Sequence, residues 1–163
     1  MMGIKYLLFT FIIAANSFAQ YSTPNTGVEW NLDSLVVYSG GVISGSYPEY
    51  TLNNKIYVSA NDLVWIVPGS TIQNTADVSG FEVNGIFKSE GAADSIITFT
   101  SPTQDSTGFY DGIRFNENMM SSSSIISNTY IEFAAIGMRC IDASPTLIHS
   151  HIYKCGRGVQ LSG

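Results

Sequence analysis

Gly137-Met138-Arg139-Cys140 and Gly158-Val159-Gln160-Leu161 are two copies of one pattern: glycine, apolar, polar, apolar. They stand 21 positions apart within the stretch Ile125 to Gly163. The same offset lays Ile126 on Leu147 and Ile131 on Ile152. A third copy, Gly112-Ile113-Arg114-Phe115, begins 25 positions before Gly137. Short units recurring at a period in the low twenties mark a solenoid, in which each unit buries its apolar side by stacking on its neighbours.

Within each unit the apolar residues alternate with polar ones, which puts one set on one face of a strand. The runs are three to five residues long and end at Gly, Ser, Asn or Pro. So short a strand cannot bury its face alone; stacking at the inter-strand spacing of ~4.8 Å turns like residues into ladders. No 3.6-residue apolar stripe persists, and Gly, Ser, Thr, Asn and β-branched residues are weak helix formers. The expected core ladder is Ile113, Phe115, Ile126, Ile131, Met138, Cys140, Leu147, Ile152, Val159 and Leu161.

Upstream, Ile96-Ile97-Thr98-Phe99-Thr100-Ser101-Pro102, Tyr110-Asp111-Gly112-Ile113-Arg114-Phe115 and the run Tyr130 to Met138 resemble right-handed parallel β-helix proteins of the pectin-lyase-like superfamily, chiefly its large secreted bacterial members. Leu63 to Ile72 is similar to their first coils. The resemblance covers roughly 51–163. It implies an all-β, right-handed parallel β-helix with an N-terminal cap, and it leaves activity open, because the superfamily hosts lyases, hydrolases, adhesins and inert stalks.

The expected partition is a signal peptide at 1–19, a leader and N-terminal cap at 20–50, and coils at 51–163. Lys5 supplies a positive n-region, Tyr6 to Ala15 an apolar stretch too short for a comfortable membrane span, and Ser17-Phe18-Ala19 a small-residue cleavage site before Gln20. The mature chain is thus expected to be exported and to carry no membrane span. Trp30, Leu32, Leu35, Val36 and Val37 form an apolar cluster suited to covering the first coil; Trp30 as a sugar-stacking ring is the alternative. Asn84-Gly85 between Phe81–Val83 and Ile86–Lys88 suggests a hairpin by composition, but in a parallel coil it makes a corner. The serine-rich run Asn116 to Ser124 explains the 25-residue spacing as an insertion. At the other end nothing follows Leu161-Ser162-Gly163, so the last coil reads as truncated, with an open edge expected to pair with another chain.

The net charge of −6, without a basic cluster, argues against nucleic acid and against anionic membrane surfaces as partners. Cys140 and Cys155 fall at different places around the coil, which favours two free thiols over a disulfide. His149 and His151, two apart on one strand, lack a third ligand for a metal. No cofactor motif is present. Arg114 and Arg139 occupy the same outward position and form a short basic ladder beside Asp111 and Asp142. In the superfamily, lyases use an Arg or Lys base with Ca²⁺, and hydrolases use close Asp pairs. The acidic residues here read as scattered, so no catalytic residue is assigned. Tyr130 and Tyr153, with Arg114 and Arg139, are the candidate glycan contacts, as flat rings stack on sugars. The expected function is a secreted or cell-surface module with a structural or adhesive role, touching an extracellular polysaccharide or the cell envelope. The alternative is the N-terminal part of a polysaccharide lyase or glycoside hydrolase.

Overall fold

A computed structural model describes residues 19–103, 108–118 and 121–163. The expected signal peptide, but for Ala19, and the middle of the loop from Thr103 to Gly108 lie outside the described residues. Two short strands, β1 (Tyr21–Ser22) and β2 (Glu29–Trp30), are followed by helix α1 (Leu32–Tyr38) and strand β3 (Ile43–Ser46). Strands then come in threes, each set forming one rung. They are β4 (Glu49–Leu52), β5 (Lys55–Val58) and β6 (Leu63–Ile66), then β7 (Thr71–Asn74), β8 (Gly80–Val83) and β9 (Ile86–Glu90). Next come β10 (Ile97–Thr100), β11 (Gly112–Phe115) and β12 (Ile125–Ser127), then β13 (Thr129–Glu132), β14 (Ile136–Ile141) and β15 (Thr146–Ile148). A last partial rung holds β16 (His151–Tyr153) and β17 (Arg157–Ser162).

From β4 onward, every third strand joins the same sheet. Sheet 1 runs β1-β5-β8-β11-β14-β17, sheet 2 runs β2-β6-β9-β12-β15, and sheet 3 runs β3-β4-β7-β10-β13-β16. The pairings are parallel except that of β3 with β4. The chain is all-β, and its parallel sheets fit a β-helix. Asn84-Gly85 joins strands of different sheets, so it is a corner. Parallel pairing begins at Tyr21, inside the segment read as leader and cap, where Tyr21 faces Ile56 and Glu29 faces Leu63.

The sequence repeat and the strand register coincide. Ile126 pairs with Leu147, Ile131 with Ile152, Met138 with Val159 and Cys140 with Leu161. Ile113, Arg114 and Phe115 pair with Met138, Arg139 and Cys140. One more copy of the unit, Gly80-Phe81-Glu82-Val83, pairs residue for residue with Gly112 to Phe115. Gly112 takes φ +93°, and a Cβ there would meet the Ile136 carbonyl oxygen at 1.9 Å. Glycine at this point lets successive strands of sheet 1 approach, which is why the unit begins with it. The corners repeat too. Asn128 and His149 have φ of 43° and 47°, and Phe133 and Lys154 have φ of 64° and 48°. Each of these pairs sits 21 positions apart, so single left-handed residues turn the chain between sheets at equivalent points.

The interior is one apolar cluster. Phe81 from sheet 1, Phe87 from sheet 2 and Phe99 from sheet 3 meet with centroids 5.0–6.4 Å apart, in tilted and edge-on geometries that favour aromatic pairs. Of the expected ladder, Ile113, Phe115, Ile126, Ile131, Met138 and Cys140 are buried, and Leu147 and Ile152 pack half-buried against the cluster. Val159 and Leu161 continue the same rows, yet they are 45% and 75% exposed because no described strand lies beyond β17. Their place in the ladder is therefore one of register, and burial stops at Met138 and Cys140.

At the other end, α1 packs on β3 and β6. Asn31 caps it: its side chain accepts from the Ser34 N–H at 2.8 Å, and Ser34 Oγ accepts from the Asn31 N–H at 3.0 Å. Leu32 and Leu35 are buried beneath it. Trp30 is 7% exposed, with the Tyr21 and Tyr38 rings edge-on at 6.4 and 5.6 Å. That burial removes Trp30 as a sugar-stacking ring. Asp62, also buried, accepts the backbone N–H groups of Asn25, Thr26, Gly27 and Val28 at 2.8–3.2 Å. A single carboxylate thus holds the loop between β1 and β2 against the corner before β6.

Candidate functional site: three outer faces

Alternation sends every second residue of each strand outward, and parallel stacking lines these residues into rows. On sheet 1 the row is Tyr57, Glu82, Arg114, Arg139 and Gln160. Lys55, at the start of β5, reaches two carboxylates: Glu82 at 3.7 Å and Asp111 at 2.5 Å. Asn116 donates to Glu82 and to Asn84, both at 3.0 Å, and accepts from Arg114 Nε at 2.8 Å. The acidic residues are therefore less scattered than composition along the chain implies: Glu82 and Asp111 converge on one ammonium. Asp111 pairs with Lys55 and not with Arg114, and Asp142 makes no ion pair with Arg139 among the described residues. Arg114 and Arg139 lie side by side in register, an arrangement of like charges that destabilises a sheet. Arg139 Nε is buried without a hydrogen-bond partner.

On sheet 3 the outward rows end in rings. Tyr130 pairs with His151, and Glu132 with Tyr153. The Tyr130 ring meets His151 edge-on at 5.5 Å, and His151 lies parallel to Tyr153 at 5.7 Å with 11° between planes. Tyr130 and Tyr153 are 40% and 47% exposed. Lys154 Nζ stands 5.2 Å from the Tyr153 centroid and 5.7 Å from that of Phe133. Glu132, below Tyr153, accepts from the Thr100 hydroxyl at 3.4 Å. The structure brings Tyr130 and Tyr153 together through His151, and brings Arg114 beside Arg139 on another sheet. His149 sits at a corner with φ 47° and outside β16, so it does not share a strand face with His151.

On sheet 2 Leu63 and Trp65 of β6 face outward, and Trp65, 36% exposed, pairs with Lys88 on β9. The likeness of Leu63 to Ile72 to a first coil does not by itself say which residue faces out. The signal was present, because Val64 and Ile66 are the more aliphatic pair and the alternation leaves Trp65 outside.

Both thiols are free. Burial raises the thiol of Cys140 above the usual range, and it does the same for Cys155, whose Sγ points at the Ile131 and Tyr153 carbonyls. Thiols held protonated in this way, one buried and one half-buried, are poor nucleophiles. Among the described residues no group of three or more His, Cys, Asp or Glu could hold a metal ion, and no helix is long and apolar enough to cross a membrane. Comparison with protein-family models, curated proteins and solved structures gave no match.

Proposed function

We propose that the chain is an exported right-handed parallel β-helix of the pectin-lyase-like kind, acting as a surface module that contacts glycans. The observation that carries this reading is the Tyr130–His151–Tyr153 platform. Three ring side chains from adjacent rungs stand half-exposed on one outward face, with a cation at one side and a carboxylate below. Sugar rings present apolar C–H faces and peripheral hydroxyls, which suit such flat, amphipathic side chains. On sheet 1, a different face, Arg114 and Arg139, which join no ion pair with a described carboxylate, offer a separate contact for anionic sugars. Retention in native gels containing soluble polysaccharides, neutral and acidic, tests this. The wild type is expected to be retarded by at least one polysaccharide, and Tyr130→Ala/Tyr153→Ala to migrate freely with an unchanged melt. Equal migration of the two proteins in every gel overturns the platform's role.

A second reading is favoured by the Glu82–Lys55–Asp111 cluster, which sets two carboxylates about one ammonium across successive rungs. Carboxylates clustered with a cationic side chain are the equipment of polysaccharide lyases and glycoside hydrolases. Turnover of a polysaccharide that disappears in Lys55→Ala or Arg139→Ala would put this reading first.

A further inference from the structure

Glu29, Leu63, Trp65, Lys88 and Glu90 line one depression of about 240 Å³ on the outer face of sheet 2. It is smaller than the ~300–1,000 Å³ of pockets for drug-sized ligands and takes a single small ring. Its position is set by register. Glu29, Leu63 and Ile86 form one outward row, and Trp65 and Lys88 the next. None of Glu29, Lys88 and Glu90 joins an ion pair with a described residue. A flat aromatic surface is therefore flanked by charged groups that no described residue pairs with.

We propose that this depression is a binding site for a neutral pyranose unit of a polysaccharide, separate from the ring platform of sheet 3. Trp65 is the stacking surface. Glu29 and Glu90 accept hydroxyl protons, and the Lys88 ammonium donates to ring or hydroxyl oxygens. The charges select the ligand. Two carboxylates against one ammonium repel a uronate or sulfated sugar, and Lys88, directly beside the indole, repels a cation that would otherwise favour the ring face. A neutral, hydroxyl-rich ring meets neither penalty. The site lies on the early rungs of sheet 2, while the platform lies on the late rungs of sheet 3. A chain carrying both contacts two glycan segments at once, and the second engagement gains from effective concentration.

The two tryptophans make the test selective, because Trp30 is buried and Trp65 is exposed. Iodide quenching of intrinsic fluorescence then reports Trp65, and cellohexaose, xylohexaose, mannohexaose and hexagalacturonate serve as probes. At least one neutral hexamer is expected to shield Trp65 saturably while hexagalacturonate does not. Calorimetric affinity for that hexamer is expected to fall at least about tenfold in Trp65→Ala, and less in Lys88→Ala and Glu90→Gln. Tyr130→Ala/Tyr153→Ala keeps the shielding of Trp65 even if it loses retention in polysaccharide gels, so the two sites fail separately. Failure of all three neutral hexamers to shield, shielding by hexagalacturonate alone, or undiminished affinity in a folded Trp65→Ala each overturns the proposal.

Discussion

Asp62 shows how much one side chain can hold. Burial would raise its carboxyl pKa, but the Thr23 hydroxyl and the N–H groups of Asn25, Val28 and Gly27 outweigh it, and the group lies below the ordinary aspartate range. A carboxyl depressed in the folded chain contributes stability that is full above its unfolded value of about 4 and is lost as pH falls through the lower folded value. We expect proton-linked loosening of the β1–β2 loop in acid, below about pH 4, seen as early loss of amide protection at Asn25 to Val28. Asp62→Ala should lose about 3 kcal/mol or more at neutral pH, because four N–H groups lose their acceptor. An unchanged urea midpoint in that variant would show that the loop is held by other means. None of this was legible in the sequence: Asp62 stands 34 to 37 positions from its partners, and nothing in the local pattern marks it. By contrast the pairing of the Gly112 unit with the Gly137 unit was legible, because the need for glycine at a close approach recurs there as a visible repeat.

At the scale of the element, alternation decides which residue tolerates change. On β14, Met138 is 4% exposed and Arg139 points outward beside Arg114. Met138→Asp buries an unpaired carboxylate at a cost of several kcal/mol, comparable with a domain's whole stability of ~5–15 kcal/mol. Arg139→Asp removes a like-charge contact instead. Circular-dichroism melts should show Met138→Asp unfolded and Arg139→Asp within a few degrees of wild type; equal melts would place the register one residue out. The strands of the last two rungs could be read with confidence because they repeat without insertion, whereas Gly80 to Val83 escaped notice. The loop between β10 and β11 sets it 32 positions from its next copy, so the spacing no longer looks periodic. Helix α1 was hidden for a different reason. Val36 and Val37 are β-branched and weak helix formers, and the helix stands through its Asn31–Ser34 cap and the burial of Leu32 and Leu35.

For the whole molecule, function follows from what stacking places on the outside. The Lys55–Glu82–Asp111 cluster joins residues 27 to 56 positions apart, so only the assembled sheets show it. The tyrosines were found early because the 21-residue offset already aligned Tyr130 with His151 and Glu132 with Tyr153. Stacking also leaves β17 with one unpaired edge among the described strands, beside the exposed Val159 and Leu161. The 163-residue polypeptide, produced by itself, should therefore self-associate with rising concentration, and Val159→Lys/Leu161→Lys should not. Light scattering distinguishes these, and a concentration-independent monomer of the wild type would contradict the expectation. Each of these inferences depends on the rungs stacking in parallel at the offsets of the repeat. Cross-strand backbone NOEs in the deuterated, ¹⁵N-labelled protein measure that stacking most directly. The account predicts amide contacts linking the strand around Arg114 to that around Arg139, and the latter to that around Gln160, all in parallel register; antiparallel contacts, or contacts shifted by one residue, would contradict it.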